Sequence, residues 1–211
     1  MSLRALGFAA FAALAAVSTA SATPVPPDEV VKTTTERLQK EIGAREKEFK
    51  ADQTRLYAFV DEVIVPKFDT KYIAQLILAR HWKAASADQR TRFQAAFKDM
   101  LVHSYANALV EYHSSVKAEW QPLRMAPDAT DVTVNSRLVR GNGKPPLPIG
   151  FAMRLKDGEW KVYDIVIENL SLVTSFRSQI NSEIKRTSLD ALIQRLESGQ
   201  KLEPETAKQR G

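Results

Sequence analysis

The sequence predicts an α+β fold in which helices pack on a curved antiparallel meander of about four strands, with further helices at both ends of the chain. Three observations predict it. Apolar residues recur with helical spacing from about residue 29 to residue 109, the period switches to two before residue 167, and helical spacing returns from 171 to 196. At 44% hydrophobic and 26% charged residues, the composition argues against disorder and against a membrane-embedded fold.

Residues 1–22 stand apart. Arg4 precedes an apolar run over 6–17 and then Ala20, Ser21 and Ala22, the pattern of a secretory signal with an Ala-x-Ala site and cleavage after Ala22. The run is shorter than the roughly 20 apolar residues that a spanning helix needs. A Pro-rich leader over 23–28 follows, then one domain over 29–198 and a polar tail over 199–211.

Within the domain, Val31, Leu38, Ile42, Phe49, Leu56, Phe59, Val60 and Val63 predict helix up to Pro66. Gly43 and the charges after it interrupt the stripe, so the segment is two helices or one bent helix. Asp69 caps a short helix that carries Tyr72, Ile73, Leu76 and Ile77 and ends near Trp82. Ser86-x-x-Gln89 forms a capping box opening a helix with Phe93, Phe97, Leu101, Tyr105 and Leu109 at intervals of four. Alternation over 132–138, 151–155 and 160–167 predicts three strands, and a further strand lies over 116–120. Asp157-Gly158 signals a hairpin, and 141–148 is a Gly- and Pro-rich loop. Helix returns over 171–184, and Ser188 caps a last helix with Leu189, Leu192, Ile193 and Leu196 on one face.

Several function classes are excluded by what the residues lack. There is no cysteine, hence no disulfide, no thiolate metal site and no lipid anchor through an N-terminal cysteine. The formal charge is +5, and +4 once residues 1–22 are removed with Arg4; basic residues interleave with acids, as in Arg45-Glu46-Lys47-Glu48, which is a solvated face and not a nucleic-acid footprint. His81, His103 and His113 form no His-Glu-x-x-His, and the last two project about 15 Å apart by helical rise, so no metal site is expected. Neither Gly-x-Ser-x-Gly nor a phosphate-binding glycine loop occurs. Asp164, placed by alternation on the same side as Trp160, Val162 and Val166, is either a carboxylate bonded at a sheet edge or helix end, or a general base. The apolar stripes could fill a core or line a cavity between sheet and helices, and periodicity does not distinguish the two.

The stretch Gly158-Glu159-Trp160-Lys161-Val162-Tyr163-Asp164-Ile165-Val166-Ile167-Glu168-Asn169-Leu170-Ser171-Leu172-Val173 resembles the signature of the MlaC family, the toluene-tolerance family of periplasmic lipid-binding proteins. Val65-Pro66-Lys67-Phe68-Asp69, Trp82-Lys83 and Ser175-Phe176-Arg177-Ser178-Gln179-Ile180 resemble it too, and the likeness covers about 50–198. One departure is Asn169, where family members commonly carry Gly; Asn accepts the positive φ for which Gly is chosen.

The resemblance implies a nuclear-transport-factor-like sheet with extra helices, enclosing an apolar cavity for phospholipid acyl chains. It also implies a shuttle, without enzyme activity or cofactor, that helps maintain outer-membrane lipid asymmetry. The partners implied are an outer-membrane lipoprotein–porin complex and an inner-membrane ABC transporter with a membrane-anchored lipid-binding domain. A monomer is expected. Face arithmetic places Tyr72, Ile73, Leu76, Phe97, Leu101, Tyr105, Phe151, Met153, Val162 and Val166 on the cavity wall, with Arg140 or Lys144 at the mouth beside an anionic headgroup and Glu168 nearby. Three other readings stand beside this one: a carrier of hopanoid or another lipid, a small exported enzyme using Asp164 with Tyr163 or His103, and a structural adaptor with a filled core.

Overall fold

A computed structural model of the chain describes residues 24–141 and 143–202. The signal sequence expected over 1–22, with its expected cleavage after Ala22, and most of the polar tail expected over 199–211 lie outside the described residues.

Helix α1, Pro27–Ala51, starts with Pro at its first position and Asp28 and Glu29 in its first turn, where fixed φ and acidic charge both suit a helix N-terminus. It bends at Arg45, which leaves helical geometry two residues after Gly43. Asp52 then separates α1 from α2, Gln53–Val63: its backbone N–H still donates to Glu48, while its carboxylate accepts from the N–H groups of Thr54 and Arg55. The segment expected to be bent or broken is therefore both. After a 3-10 turn, Val65–Lys67, Asp69 caps α3, Thr70–Leu78. Ala79, at φ 46°, turns the chain into a separate short helix, α4, Arg80–Ala84, where one continuous helix to Trp82 was expected. The capping box of Ser86 and Gln89 opens α5, Ala87–Tyr112.

The sheet is a meander of five strands in sequence order: β1 Val116–Trp120, β2 Asp131–Arg140, β3 Leu147–Lys156, β4 Glu159–Ile167 and β5 Leu170–Ser171. The fifth, two residues long, is too short to show alternation, which is why about four strands were predicted. Asp157 and Gly158 both take positive φ in the β3–β4 turn, and Glu168 and Asn169 do so in the β4–β5 turn, so Asn169 accepts the backbone for which Gly is usual. Ser171 caps α6, Leu172–Arg186, and Ser188 caps α7, Leu189–Glu197.

Three apolar clusters hold these layers. Phe93, Phe97 and Met100 of α5 pack against α3, α6 and α7 through Ile77, Leu78, Phe176, Ile180, Leu192 and Ile193. Val102, Ala106 and Val110 of the same helix pack against Ile42, Phe49, Leu56 and Phe59 of α1 and α2. Helix α5 is thus buried on two sides. The third cluster, Val31 with Val134, Met153, Trp160 and Val162, sets the first turns of α1 on the sheet. Buried Asp69 links the helical layer to the sheet: its N–H donates to the Val162 carbonyl at 2.9 Å, its carboxylate accepts from Tyr72 N–H at 3.1 Å, and Lys156 Nζ lies 3.2 Å away.

Candidate functional site

The third cluster does not fill the space between α1 and the sheet. A hollow of about 1070 Å³ remains there, large for a small-ligand site. Its roof is the first half of α1, with Val30, Val31, Thr34, Thr35, Leu38 and Ile42; its floor is one face of the sheet, with Val116, Ala118, Leu138, Phe151, Val162 and Ile165. Ile64 and Phe68 close one side, and Leu109 and Tyr112 at the end of α5 close another.

The two threonines do not make the roof polar. Thr34 Oγ1 donates to the Val30 carbonyl at 2.6 Å and Thr35 Oγ1 to the Val31 carbonyl at 2.8 Å, so each hydroxyl is satisfied within the helix. Polar groups gather instead at one end, where α5 stops and β1 begins: Gln39, His113, Ser114, Ser115, Arg140 and Lys144. Tyr112, 50% exposed, also lines this end and marks where the hollow meets solvent. The His113 ring is held by its Nδ1 against the Val110 carbonyl at 2.9 Å and packs beside Gly43 of α1.

A second hollow, about 440 Å³, lies between α5 and the end of α7. Its wall includes Arg92 and Glu197, paired through Nε and Nη2 of the guanidinium at 2.9 and 2.7 Å, a contact that holds the Glu197 carboxyl below its ordinary range. It is smaller and carries an ion pair.

Of the residues placed on the wall by face arithmetic, Phe151 and Val162 line the large hollow, as do Arg140 and Lys144. Met153 lies on the same face but is fully buried behind the floor, beside Val134 and Trp160. Ile73, Leu76, Phe97 and Leu101 do come together, but in the solid cluster of α3, α5, α6 and α7, where Phe97 stacks on Phe93 at 5.6 Å and meets Phe176 edge-on at 5.1 Å. Tyr72 lies under the Arg154 guanidinium, 4.1 Å from ring centre to cation, and edge-on to Tyr163. Tyr105 is 42% exposed on α5. Glu168 is exposed in the β4–β5 turn.

Val166 and Asp164 depart from the expected face for one reason. The β3–β4 register shifts between Ala152 and Met153, so Met153 pairs with Val162 while Ala152 pairs with Asp164, and Tyr163 has no partner. That β-bulge turns everything after Tyr163 over, bringing Ile165 to the hollow and taking Asp164 and Val166 to the opposite face. There Asp164 accepts from Ser171 Oγ at 2.5 Å and from Val173 N–H at 3.0 Å, fastening the first turn of α6. This is the helix-end carboxylate, with an oxygen on each donor. Burial and the hydrogen bond to Asp131 push the Tyr163 hydroxyl up to about 12. Among the described residues no group of three or more His, Asp or Glu side chains is placed to hold a metal ion.

The roof residues Val30, Val31, Thr34, Thr35, Leu38 and Ile42, and Ile165 on the floor, were not placed on the cavity wall from the sequence. The stripe of Val31, Leu38 and Ile42 was visible, but its partner surface was not.

Residues 32–198 match the profile described as MlaC protein. This chain belongs to the MlaC family. The intermembrane phospholipid transport system binding protein MlaC of Haemophilus influenzae is 26% identical over 164 residues, covering 77% of this chain and 76% of its own. The toluene tolerance protein ttg2D of Pseudomonas putida is 27% identical over 165 residues, covering 78% and 75%. Among solved structures, the phospholipid-binding protein from Ralstonia solanacearum in complex with a phospholipid superposes with a TM-score of 0.74 at 29% identity, covering 83% of this chain and 97% of that one. The MlaC match thus takes in every named strand and the cavity lining apart from Val30 and Val31.

Proposed function

We propose that this MlaC-family chain is a periplasmic carrier of phospholipid, holding the acyl chains in the hollow between α1 and the sheet with the headgroup at the Tyr112 end. The single observation that carries the reading is the apolar hollow itself. At about 1070 Å³ the hollow exceeds the usual size of a small-ligand pocket and is on the scale of hydrocarbon tails. Exposing one 16-carbon tail to water costs on the order of 12 kcal/mol, at about 0.8 kcal/mol per methylene. Enclosure by Val, Leu, Ile and Phe offsets that cost without any reactive group.

The names of the Haemophilus and Pseudomonas relatives and the phospholipid held by the Ralstonia protein support the same reading. Among the described residues no helix is long and apolar enough to cross a membrane. The shuttle then works between an outer-membrane lipoprotein–porin complex and an inner-membrane ABC transporter, maintaining lipid asymmetry of the outer membrane, with residues 1–22 removed on export and the chain acting as a monomer. Opposed to an enzyme is the engagement of Asp164 by Ser171 and Val173; opposed to a filled adaptor is the hollow. Transfer of a fluorescent phospholipid between two vesicle populations, with and without the protein, tests the carrier. Acceleration proportional to protein is expected, and transfer no faster than the uncatalysed rate contradicts it.

A further inference from the structure

Strand β1 is one edge of the sheet, with β2 as its neighbour among the described residues. The Gly141 N–H donates to the Ser115 carbonyl at 3.2 Å and the Gln121 N–H to the Asn135 carbonyl at 2.9 Å. Residues 115 and 121 thus bond toward β2, and by alternation Lys117 and Glu119 do the same. The N–H and C=O groups of Val116, Ala118 and Trp120 therefore point away from the sheet. Gln39 Nε2 reaches the Val116 carbonyl at 3.3 Å, a long bond from an exposed side chain. Such an edge invites a further strand unless charge or shape turns it away. Side chains alternate as the backbone does: Val116 and Ala118 belong to the floor of the hollow, whereas Lys117 and Glu119 are exposed on the other face. Trp120, on the side of Val116, packs beside Phe151.

We infer that this edge pairs with the same edge of a second copy of the chain. Val116-Lys117-Ala118-Glu119-Trp120 is its own antiparallel complement. With the two Ala118 residues facing across a two-fold axis, Lys117 stands opposite Glu119 of the second copy and Val116 opposite its Trp120, each pairing occurring twice. The outward N–H groups of Val116, Ala118 and Trp120 then meet outward carbonyls, with Gln39 giving up its bond to Val116. Lys117 and Glu119 fall at positions that do not hydrogen-bond across the new ladder, where facing side chains stand closest. Opposite charges there are favourable and like charges are not. Lysine alone on an edge repels a copy; the acid two residues on makes this edge attract one. Glu119 already has Arg137 of β2 at 3.9 Å, so Lys117 of the second copy completes a row of alternating charge. One five-residue strand gives an interface smaller than stable dimers have, so the pair is reversible. The single chain carries lipid, and the dimer is its form at high concentration.

Sedimentation equilibrium of the purified protein from about 10 μM to about 1 mM tests this. The wild-type mass is expected to rise from that of one chain toward that of two. Lys117→Glu and Glu119→Lys each set like charges opposite one another twice, and each should weaken association about tenfold. Mixed one to one, the two variants should associate again, because the new glutamate of one chain faces the new lysine of the other. Both positions are exposed and lie off the hollow, so circular dichroism and the lipid bound per chain should match wild type in each variant. A wild type that remains a single chain at about 1 mM overturns the proposal. Association that survives undiminished in either variant alone places the contact elsewhere and overturns it as well, as does a mixture that associates no better than its components. The carrier reading stands or falls separately, on whether lipid is bound.

Discussion

Val162 and Ile165 stand on the same face of β4, three positions apart, because Tyr163 between them bulges out of the ladder with β3. Val166, which simple alternation would pair with Val162, faces the other way beside Gly150. Ile165→Trp should therefore fill the hollow and lower the lipid carried per chain severalfold, whereas Val166→Trp, on the opposite face of the sheet, should leave the lipid per folded chain unchanged. Lipid extracted from equal amounts of each purified variant checks the contrast. Equal loss in both would place Val166 on the wall after all.

The aromatic face of α5 belongs to a packed core. Phe97→Ala should cost about 3–5 kcal/mol, the range for truncating a buried aromatic, and lower the melting temperature by on the order of 10 °C. Lipid bound per folded chain should not change, because Phe97 touches Phe93 and Phe176 and lines no part of the hollow. Calorimetry paired with lipid analysis separates the two effects.

Asp69 joins α3 to the sheet while 4% exposed, so Asp69→Ala removes a helix cap and takes from Lys156 and Arg154 the carboxylate they share. A loss of about 2 kcal/mol is expected, against a smaller loss for Asp69→Asn, which keeps an oxygen for the Tyr72 N–H. Urea unfolding gives the difference directly.

Asp164 is expected to be structural. Asp164→Ala should destabilise by about 1–2 kcal/mol through loss of the bonds to Ser171 and Val173, while Asp164→Asn stays close to wild type and lipid transfer survives in both. A hydrolytic turnover present in wild type and abolished in Asp164→Asn would contradict this.

Much of this was legible in the sequence, and the limits are physical. Helix starts are local: Asp69, Ser86 and Ser188 cap where they were expected to, since a side-chain oxygen reaches an N–H two or three residues away whatever the tertiary fold. The turn at Asn169 was legible for the same reason. The bulge at Tyr163 was not, because it depends on the pairing of β3 with β4, and one slipped residue reverses every later face. Nor does the spacing of Phe93, Phe97 and Leu101 say which neighbour α5 meets; Val31, Leu38 and Ile42 form an equally plain stripe, and theirs is the one left partly unfilled.

Of the five tyrosines, Tyr163 should ionise late, since burial and the bond to Asp131 push it up to about 12. A hydroxyl whose folded-state ionisation lies above the unfolded value of about 10 contributes stability that is complete below that pH and disappears as pH rises toward 12. Tyrosinate absorbance during alkaline titration should end on a group near pH 12 that is absent in Tyr163→Phe. An unchanged titration curve in that variant would contradict the assignment.

The central claim is that the space between α1 and the sheet holds hydrocarbon tails. Native mass spectrometry of the purified protein, followed by release and identification of whatever is bound, tests it most directly. One intact diacyl phospholipid per chain is the predicted result; a chain purified without adduct that takes up no lipid from vesicles, or one that releases only a polar, water-soluble compound, would contradict it.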